Sequence, residues 1–269
     1  YLIAKSESIN LTQLDSSFSL DGRYIAEIAR QAMIDRYGLS AYRDGLSVYT
    51  TIDSSLQKAA LESISNNLYA YDKRHGWREP ENISSQIPEF IFNELQAGNL
   101  DILYQESNIL DALGMKQLNI SLLRDYFTEL VSFDKHSVGM VIDVKPERVI
   151  YLNNAFKIKQ LLWDDSYKWA KKKIDINKLG PSPQNFYDIL RRGDLIYATE
   201  INGNLYLDQI PDAEVAFISV NPSSGAIKTY VGGLNFSNSN FVRVKQSYPQ
   251  SGSSFKPFIY TAAFANGYK

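Results

Sequence analysis

An α+β fold is expected from this sequence, and three observations carry the expectation. Apolar residues recur at helical spacing over residues 23–37 and 54–68. Between residues 138 and 231, short β-branched and aromatic runs come in pairs, each joined by a turn rich in Asn, Gly or Pro. Residues 252–264 then return to an apolar helix whose start is set by Pro257.

The chain's 269 residues can hold one large domain or two modest ones. An apolar content of 44% with 13% aromatics suits a packed core, and 18 Tyr against 3 Trp favours strand-rich surfaces. A net charge of −2 offers no global field to nucleic acid or anionic lipid. There is no cysteine, which excludes disulfides and thiolate metal sites and fits an oxidising compartment. His75 and His136 are the only histidines and lie far apart in sequence. That argues against a histidine zinc site or a Ser-His-Asp triad and leaves lysine as the natural base for a serine nucleophile; no metal and no cofactor are expected. No run of about 18 apolar residues appears, nor a signal-peptide pattern.

Residues 1–21 have no period and read as a linker. A helix is expected over 23–37, capped by Asp21, with Ile25, Ile28, Ala29, Ala32 and Met33 as its stripe and Gly38 as an αL stop. Residues 46–52 are β-branched and aromatic, hence a strand. Asp53 or Ser54 then caps a second helix, lined on one side by Leu56, Ala60, Ile64 and Leu68. Residues 87–92 start another helix with Pro88 in its first turn. Residues 120–132 form the next, with Leu122, Leu123, Tyr126, Phe127 and Leu130 on one face.

The period then changes to two. Residues 138–144 and 148–152 make a hairpin around Lys145-Pro146-Glu147. Residues 155–173 carry Phe156, Leu161, Leu162, Trp163, Tyr167 and Trp169, followed by Lys171, Lys172 and Lys173. Aromatics beside lysines can bind a glycan strand or an acidic partner. The favoured reading is a helix that buries its aromatics and solvates its lysines. Residues 174–187 form a loop. Residues 194–200 and 204–209 flank Asn202-Gly203, a type I′ turn signal. Four or five short strands with one helix between them suit a small OB-like barrel within residues 81–212. A third hairpin, 214–220 with 226–231, has a nearly continuous apolar outgoing strand and is expected centrally in a sheet.

An S-x-x-K pattern occurs three times, at Ser55/Lys58, Ser132/Lys135 and Ser253/Lys256. Ser55 lies next to a helix cap and Ser132 at a helix end. The third is distinguished by Gly252 before it and Pro257 after it. Three residues apart on a helix, hydroxyl and amine share a face. A desolvated amine can take the serine proton, and the helix N-terminus favours an oxyanion. On the pattern alone, an N-cap serine with a solvated lysine remains an open alternative.

The wider sequence around Ser253 resembles the active-site region of class A, bifunctional penicillin-binding proteins of Gram-negative bacteria. Residues 249–263, Pro-Gln-Ser-Gly-Ser-Ser-Phe-Lys-Pro-Phe-Ile-Tyr-Thr-Ala-Ala, are similar to the family's R-Q-P-G-S-S-F-K-P-F-x-Y-T-A-A, departing at Pro249 and Ser251. Residues 24–31 resemble its Y-V-A-E-M-V-R-Q helix and 44–52 its D-G-x-x-I-Y-T-T-I strand. Residues 71–78 resemble Y-D-x-R-H-G-Y-R-G-P, within which His75 reads as a structural turn residue rather than a catalytic one. Residues 216–233 resemble A-x-V-x-I-N-P-x-x-G-A-I-x-A-x-V-G-G.

The resemblance implies the N-terminal part of a serine transpeptidase domain, truncated and interrupted by an OB-like β-barrel insert. Residues 1–21 would be a linker from a preceding glycosyltransferase region and 22–80 the N-terminal transpeptidase elements. Residues 81–212 would be the insert, and 213–269 the start of the transpeptidase domain with its S-x-x-K helix. Ser253 and Lys256 would be catalytic, acting on peptidoglycan stem peptides and acylated by β-lactam antibiotics. The intact relative would also use a lipid-linked glycan precursor and sit at the periplasmic face of the inner membrane through a single anchor. It would have the S-x-N and K-T-G segments beyond Lys269, so the chain alone is expected to be inactive. The insert would contact an outer-membrane lipoprotein activator, and no nucleic acid is expected. Two other classes remain open at this point: a pure interaction module, and a serine β-lactamase or esterase sharing S-x-x-K.

Overall fold

The computed structural model describes residues 22–100, 120–130, 136–236, 241–248 and 250–269. Among the described residues four α-helices come first: α1 (Arg23–Tyr37), α2 (Ser54–Arg74), α3 (Glu89–Gln96) and α4 (Ile120–Glu129). Seven strands follow: β1 (His136–Lys145), β2 (Arg148–Asn153), β3 (Ile158–Leu162), β4 (Lys173–Asp175), β5 (Lys178–Leu179), β6 (Leu195–Ile201) and β7 (Asn204–Asp208). The chain closes with the hairpin β8 (Phe217–Val220) and β9 (Ile227–Val231), a short α5 (Arg243–Gln246) and α6 (Lys256–Ala265). These elements divide into two compact units, one up to Glu62 together with Val215–Lys269, the other Ser63–Glu214. The mixed helix-and-sheet class expected from the sequence is the one observed.

The Ser63–Glu214 unit is built on one antiparallel sheet in the order β3-β2-β1-β6-β7. Its two end strands, β3 and β7, approach each other without pairing, so the sheet curls into a partly open barrel. Central β1 is buried on both faces, because successive side chains alternate between them. Val138, Met140 and Ile142 pack under α3 and α4, against Ile91, Phe92, Leu95, Leu123 and Phe127. Val141 faces the other way, into a core with Val149, Tyr151, Leu161, Tyr167, Phe186, Ile196, Ala198 and Leu207. A register shift between Val141 and Asp143 bends β1 where it passes β2, as a bulge does.

The Asn202-Gly203 turn closes β6 on β7 with φ of +52° and +80°, the two left-handed values a type I′ turn requires. The first hairpin also forms where expected, slightly longer at both ends. Leu123 and Phe127 of α4 are buried as its stripe predicts.

In the other unit the core is small and centred on Tyr24, which meets Phe236 edge-on at 4.9 Å and packs with Tyr230 and Val242. Gly232 and Gly233 lie so close to Tyr24 that a Cβ would come within 2.7 and 2.5 Å of its ring and hydroxyl. The buried Gln57 side chain pairs with β9 as a strand residue would, donating to the Tyr230 carbonyl (3.0 Å) and accepting from its N–H (2.8 Å). Asp53 caps α2, its Oδ1 accepting from the N–H groups of Ser55 (3.0 Å) and Leu56 (3.1 Å).

Several local expectations are corrected. Residues 46–52 form no strand. Their β-branched side chains suit a sheet, but only the hydroxyl of Thr51 and the N–H of Asp53 reach β9, at the carbonyls of Ile227 (2.7 Å) and Lys228 (2.9 Å). The 155–173 segment is not an α-helix but β3 followed by a 3₁₀ turn, Asp165–Trp169. The pull of the β2 edge and the aromatic core around Tyr167 outweighs helical spacing. The expected 174–187 loop contains the β4–β5 hairpin and a 3₁₀ turn with an Asn185/Asp188 capping box. The third hairpin is not central: β8 and β9 make a two-stranded sheet, with Phe217, Ile218 and Val220 exposed.

Gly38 has φ +61° but ψ −147°, so it leads into a 3₁₀ turn rather than an αL stop. Pro88 is the N-cap of α3 rather than a first-turn residue. The cap at Asp21, residue Ser132 and the loop residues 237–240 lie outside the described residues.

Gly139 in β1 tests how tightly the barrel is packed. An added Cβ would lie 2.5 Å from the Tyr151 ring and 2.7 Å from the Leu152 carbonyl oxygen. Gly139→Ala is expected to destabilise this unit by about 1–3 kcal/mol, read as a lower urea midpoint with an unchanged m-value.

Candidate active site

Ser253 lies in a 3₁₀ turn, Gly252–Phe255, that runs directly into α6. Gly252 enters this turn at φ +51°, a value side-chain-bearing residues rarely adopt. Pro257 occupies the first turn of α6, where its missing N–H leaves no helical bond unmade. The Lys256 N–H donates to the Ser253 carbonyl, which holds the two residues one turn apart at the helix start. The expected helix origin at or just after Ser253 is therefore the one observed.

The expected shelter is not. Ser253 and Lys256 are both exposed, and among the described residues neither side chain makes a hydrogen bond or ion pair. Nor is α6 buried: Phe258 is 68% exposed, Ile259 54% and Phe264 66%. An apolar helix gains stability only where another element covers it, and among the described residues no element does so. Drawing a proton from serine to lysine needs an amine stripped of water and held at hydrogen-bond distance. The local backbone supplies the spacing, and the desolvation has to come from elsewhere.

Of the other two S-x-x-K pairs, Ser132/Lys135 lies outside the described residues, and Ser55/Lys58 is engaged within its own helix start. Ser55 donates its hydroxyl to the Asp53 cap (2.6 Å), and Lys58 reaches Glu62 at 4.0 Å along an exposed face. His75 is a turn residue as expected. Its N–H donates to the Asp72 carbonyl (2.9 Å), its Nδ1 lies 2.8 Å from the Tyr71 carbonyl, and its ring packs on Tyr71 at 4.2 Å. Among the described residues no group of acidic, His or Cys side chains could hold a metal ion, and no helix is long and apolar enough to cross a membrane.

A second cluster of titratable groups, missed in the sequence, lies in the barrel unit. The buried Asp208 carboxylate accepts from Lys73 (Nζ, 2.9 Å) and lies 3.1 Å from His136 Nε2. His136 stacks on Tyr69 at 5.4 Å, and Lys73 sits 5.0 Å over the Trp169 ring. Next to it, buried Asp72 accepts from Arg78 (2.8 Å) and from the Gln209 amide (2.7 Å). Burial pushes the Asp208 carboxyl up, but the His136 hydrogen bond and the Lys73 charge outweigh it, and its pKa stays below the usual carboxylate range. Burial also pushes the Tyr69 phenol well up, and the charges of Asp208 and Asp72 add to this. Every carboxylate here is matched by a cation or an amide, so the cluster clasps the end of α2 to the end of β7. Only the 71–78 run hinted at it in sequence; Asp208 and Gln209 carry no motif.

Residues 110–213 match the penicillin-binding protein OB-like domain. Over its full length the chain is 35% identical to penicillin-binding protein 1A of Pseudomonas aeruginosa, and 99% of it aligns at 32% identity with that of Vibrio cholerae. The chain is homologous to penicillin-binding protein 1A. The crystal structure of penicillin-binding protein 1A from Haemophilus influenzae superposes over 97% of this chain and 33% of that one, at TM-score 0.67 and 27% identity. The chain spans 29% and 30% of the length of the Pseudomonas and Vibrio relatives. The curled sheet β3-β2-β1-β6-β7 falls within the matched OB-like segment, in agreement with the barrel expected from the strand pattern.

The clasp makes a pH prediction. Asp208 titrates lower in the folded state than unfolded, so its contribution is fully present above the unfolded value of about 3.9 and is lost as pH falls through its folded pKa. Asp208→Asn is expected to be less stable than the parent near neutral pH by about 1–3 kcal/mol, discounted for the partial exposure of Lys73. The two urea midpoints should converge in acid; a constant gap down to about pH 2 would contradict the assignment.

Proposed function

We propose that this chain contributes to peptidoglycan synthesis as part of a bifunctional penicillin-binding protein, with Ser253 as the acylated nucleophile and Lys256 as its base. One coincidence carries the reading: whole-length homology to penicillin-binding protein 1A, with a Gly-Ser-x-x-Lys-Pro turn at the tip of an apolar helix. Ser253 Oγ attacks the carbonyl of a terminal D-Ala-D-Ala bond while Lys256 takes the hydroxyl proton. The oxyanion forms near the positive end of α6, where backbone N–H groups point outward. Collapse breaks the C–N bond, returns a proton to the departing D-Ala amine and leaves an acyl-serine. The amine of a neighbouring stem peptide then takes the acyl group. A β-lactam follows the first half of this path and stops at the ester.

The same reading assigns the whole protein a glycosyltransferase activity on a lipid-linked glycan precursor. It also assigns an inner-membrane anchor and a periplasmic location. The exposed apolar face of α6 supports the view that the serine site is completed only when further protein covers it. As a second role, the OB-like unit forms a compact body of its own, suited to docking an outer-membrane lipoprotein activator. Retention of such a lipoprotein by the unit in a pull-down would support that role.

A fluorescent penicillin is expected to label the full-length protein at Ser253, with the adduct located by mass spectrometry. Ser253→Ala should abolish labelling, and Lys256→Ala should slow it by about two to four orders of magnitude. Labelling of the 269-residue chain alone at the full-length rate would contradict the need for a covering element.

A further inference from the structure

The open seam of the barrel has the features of a ligand groove. It has a volume of about 680 Å³ and is lined by β3, the β6–β7 turn, the start of β7 and Ile150 of β2. In barrels of this kind, the face of the second and third strands and the turn between the fourth and fifth form the surface that takes extended polymers, oligonucleotides or oligosaccharides. Here those parts correspond to β2, β3 and Asn202-Gly203.

The hydrogen-bonding register shows what the seam offers. Trp163 N–H donates to the Glu147 carbonyl (2.8 Å) and Asn153 N–H to the Lys157 carbonyl (3.0 Å). Because antiparallel pairs alternate, residues 159 and 161 also bond to β2, while the N–H and C=O groups of Ile158, Gln160 and Leu162 point away from it, into the seam. Across the seam, the pairing of Ile201 with Asn204 turns the backbone groups of Leu205 and Leu207 outward. The Leu207 N–H is met by the Tyr167 hydroxyl at 3.4 Å, as this register requires.

Two aromatic rings join these groups. Trp163 stacks one face on buried Tyr167 (5.4 Å, 25° between planes) and meets Phe186 edge-on, which fixes the ring where it lines the groove; Tyr206 lines it from β7. Among the described residues, the side chains of Gln160 and Asn204 and the Trp163 indole N–H have no hydrogen-bond partner. The groove carries one cation, Lys159, and one anion, Asp164. That balance gives no phosphate backbone the several neutralising contacts it needs. Flat ring faces, neutral amides and outward backbone groups suit a polymer that is uncharged along its length, with apolar ring faces and many hydroxyl or amide groups.

We propose that the β3–β7 seam binds an uncharged oligosaccharide strand, with Trp163 as the stacking platform and Gln160 and Asn204 as hydrogen-bonding side chains. The choice of an N-acetylated sugar rests on the peptidoglycan reading above; the groove argument does not.

The chain has three tryptophans, and Trp77, buried with its indole N–H on the Ile189 carbonyl (3.1 Å), is an internal reference. The whole chain is titrated with tetra-N-acetylchitotetraose and the three indole N–H signals are followed by NMR, the Trp163 signal being assigned with Trp163→Phe. The expected result is a saturable shift at Trp163 and none at Trp77. Affinity, read for each variant by isothermal titration calorimetry, should fall at least about tenfold in Trp163→Ala and in Gln160→Ala, with the Trp77 signal unmoved as the sign that the barrel is intact.

No shift at Trp163 at millimolar sugar would overturn the proposal. A shift with tetra-alanine but not with the sugar would also overturn it, assigning the seam to peptide pairing. An equal shift with cellotetraose would support the groove while removing the acetamido choice. Penicillin labelling at Ser253 does not involve the seam, so failure there with sugar binding retained would fault the peptidoglycan reading and leave the groove standing.

Discussion

The barrel unit depends on a single strand that has no solvent face. β1 lies in the middle of the sheet and is buried on both sides, under two helices on one and within the curled sheet on the other. The middle of a strand in that position must be apolar, as residues 138–142 are, and its backbone must be paired, because a buried N–H or C=O without a partner is costly. The pairing is supplied by β2, by β6 and, at Val141, by the backbone of Gly193 and Asp194. Curling the sheet around β1 brings β3 and β7 to face each other. Without the bulge between Val141 and Asp143 and the close approach of Tyr151 to Gly139, that curl would be harder to reach.

The two units keep polar groups buried by different means. In the barrel unit, Asp208 and Asp72 are each held by a cation and an amide or imidazole. Such clusters contribute more to fixing which surfaces meet than to net stability, because desolvation offsets much of the attraction. In the other unit, one neutral amide, Gln57, fills the place of a missing strand beside Tyr230. That solution avoids the desolvation of charge and depends on a side chain of one length, which ties the start of α2 to β9.

The serine turn divides its chemistry between local and distant causes. Gly252, Pro257 and the dipole of α6 set where the hydroxyl and amine stand, and they do so with contacts only a few residues apart. Lowering the proton affinity of an amine requires removing water around it, which is a property of whatever packs against α6. The exposed Phe258, Ile259 and Phe264 are the part of the sequence that asks for such a covering.

Much of this was legible in the residues themselves. The span of α1, the Asp53 cap, the first hairpin and the Asn202-Gly203 turn rest on neighbours within one or two turns of chain, and short-range physics decided them. The spacing of the 155–173 stretch satisfies a helix, whereas the β2 edge and the buried ring cluster around Tyr167 that decide its structure are remote in sequence. Residues 46–52 have strand composition, but among the described residues their hydrogen bonding to β9 is limited to the Thr51 hydroxyl, with the Asp53 N–H just after them. Asp208 and Lys73 lie far apart in the chain and share no spacing that could join them.

By itself, then, the sequence determined the conformations that rest on near neighbours, the S-x-x-K turn and the kinship with penicillin-binding protein 1A. Only the tertiary structure decided which edges stay unpaired, which charges are buried together and which apolar faces remain bare. Those are contacts between distant segments, set by where the folded chain brings them rather than by the order of its residues.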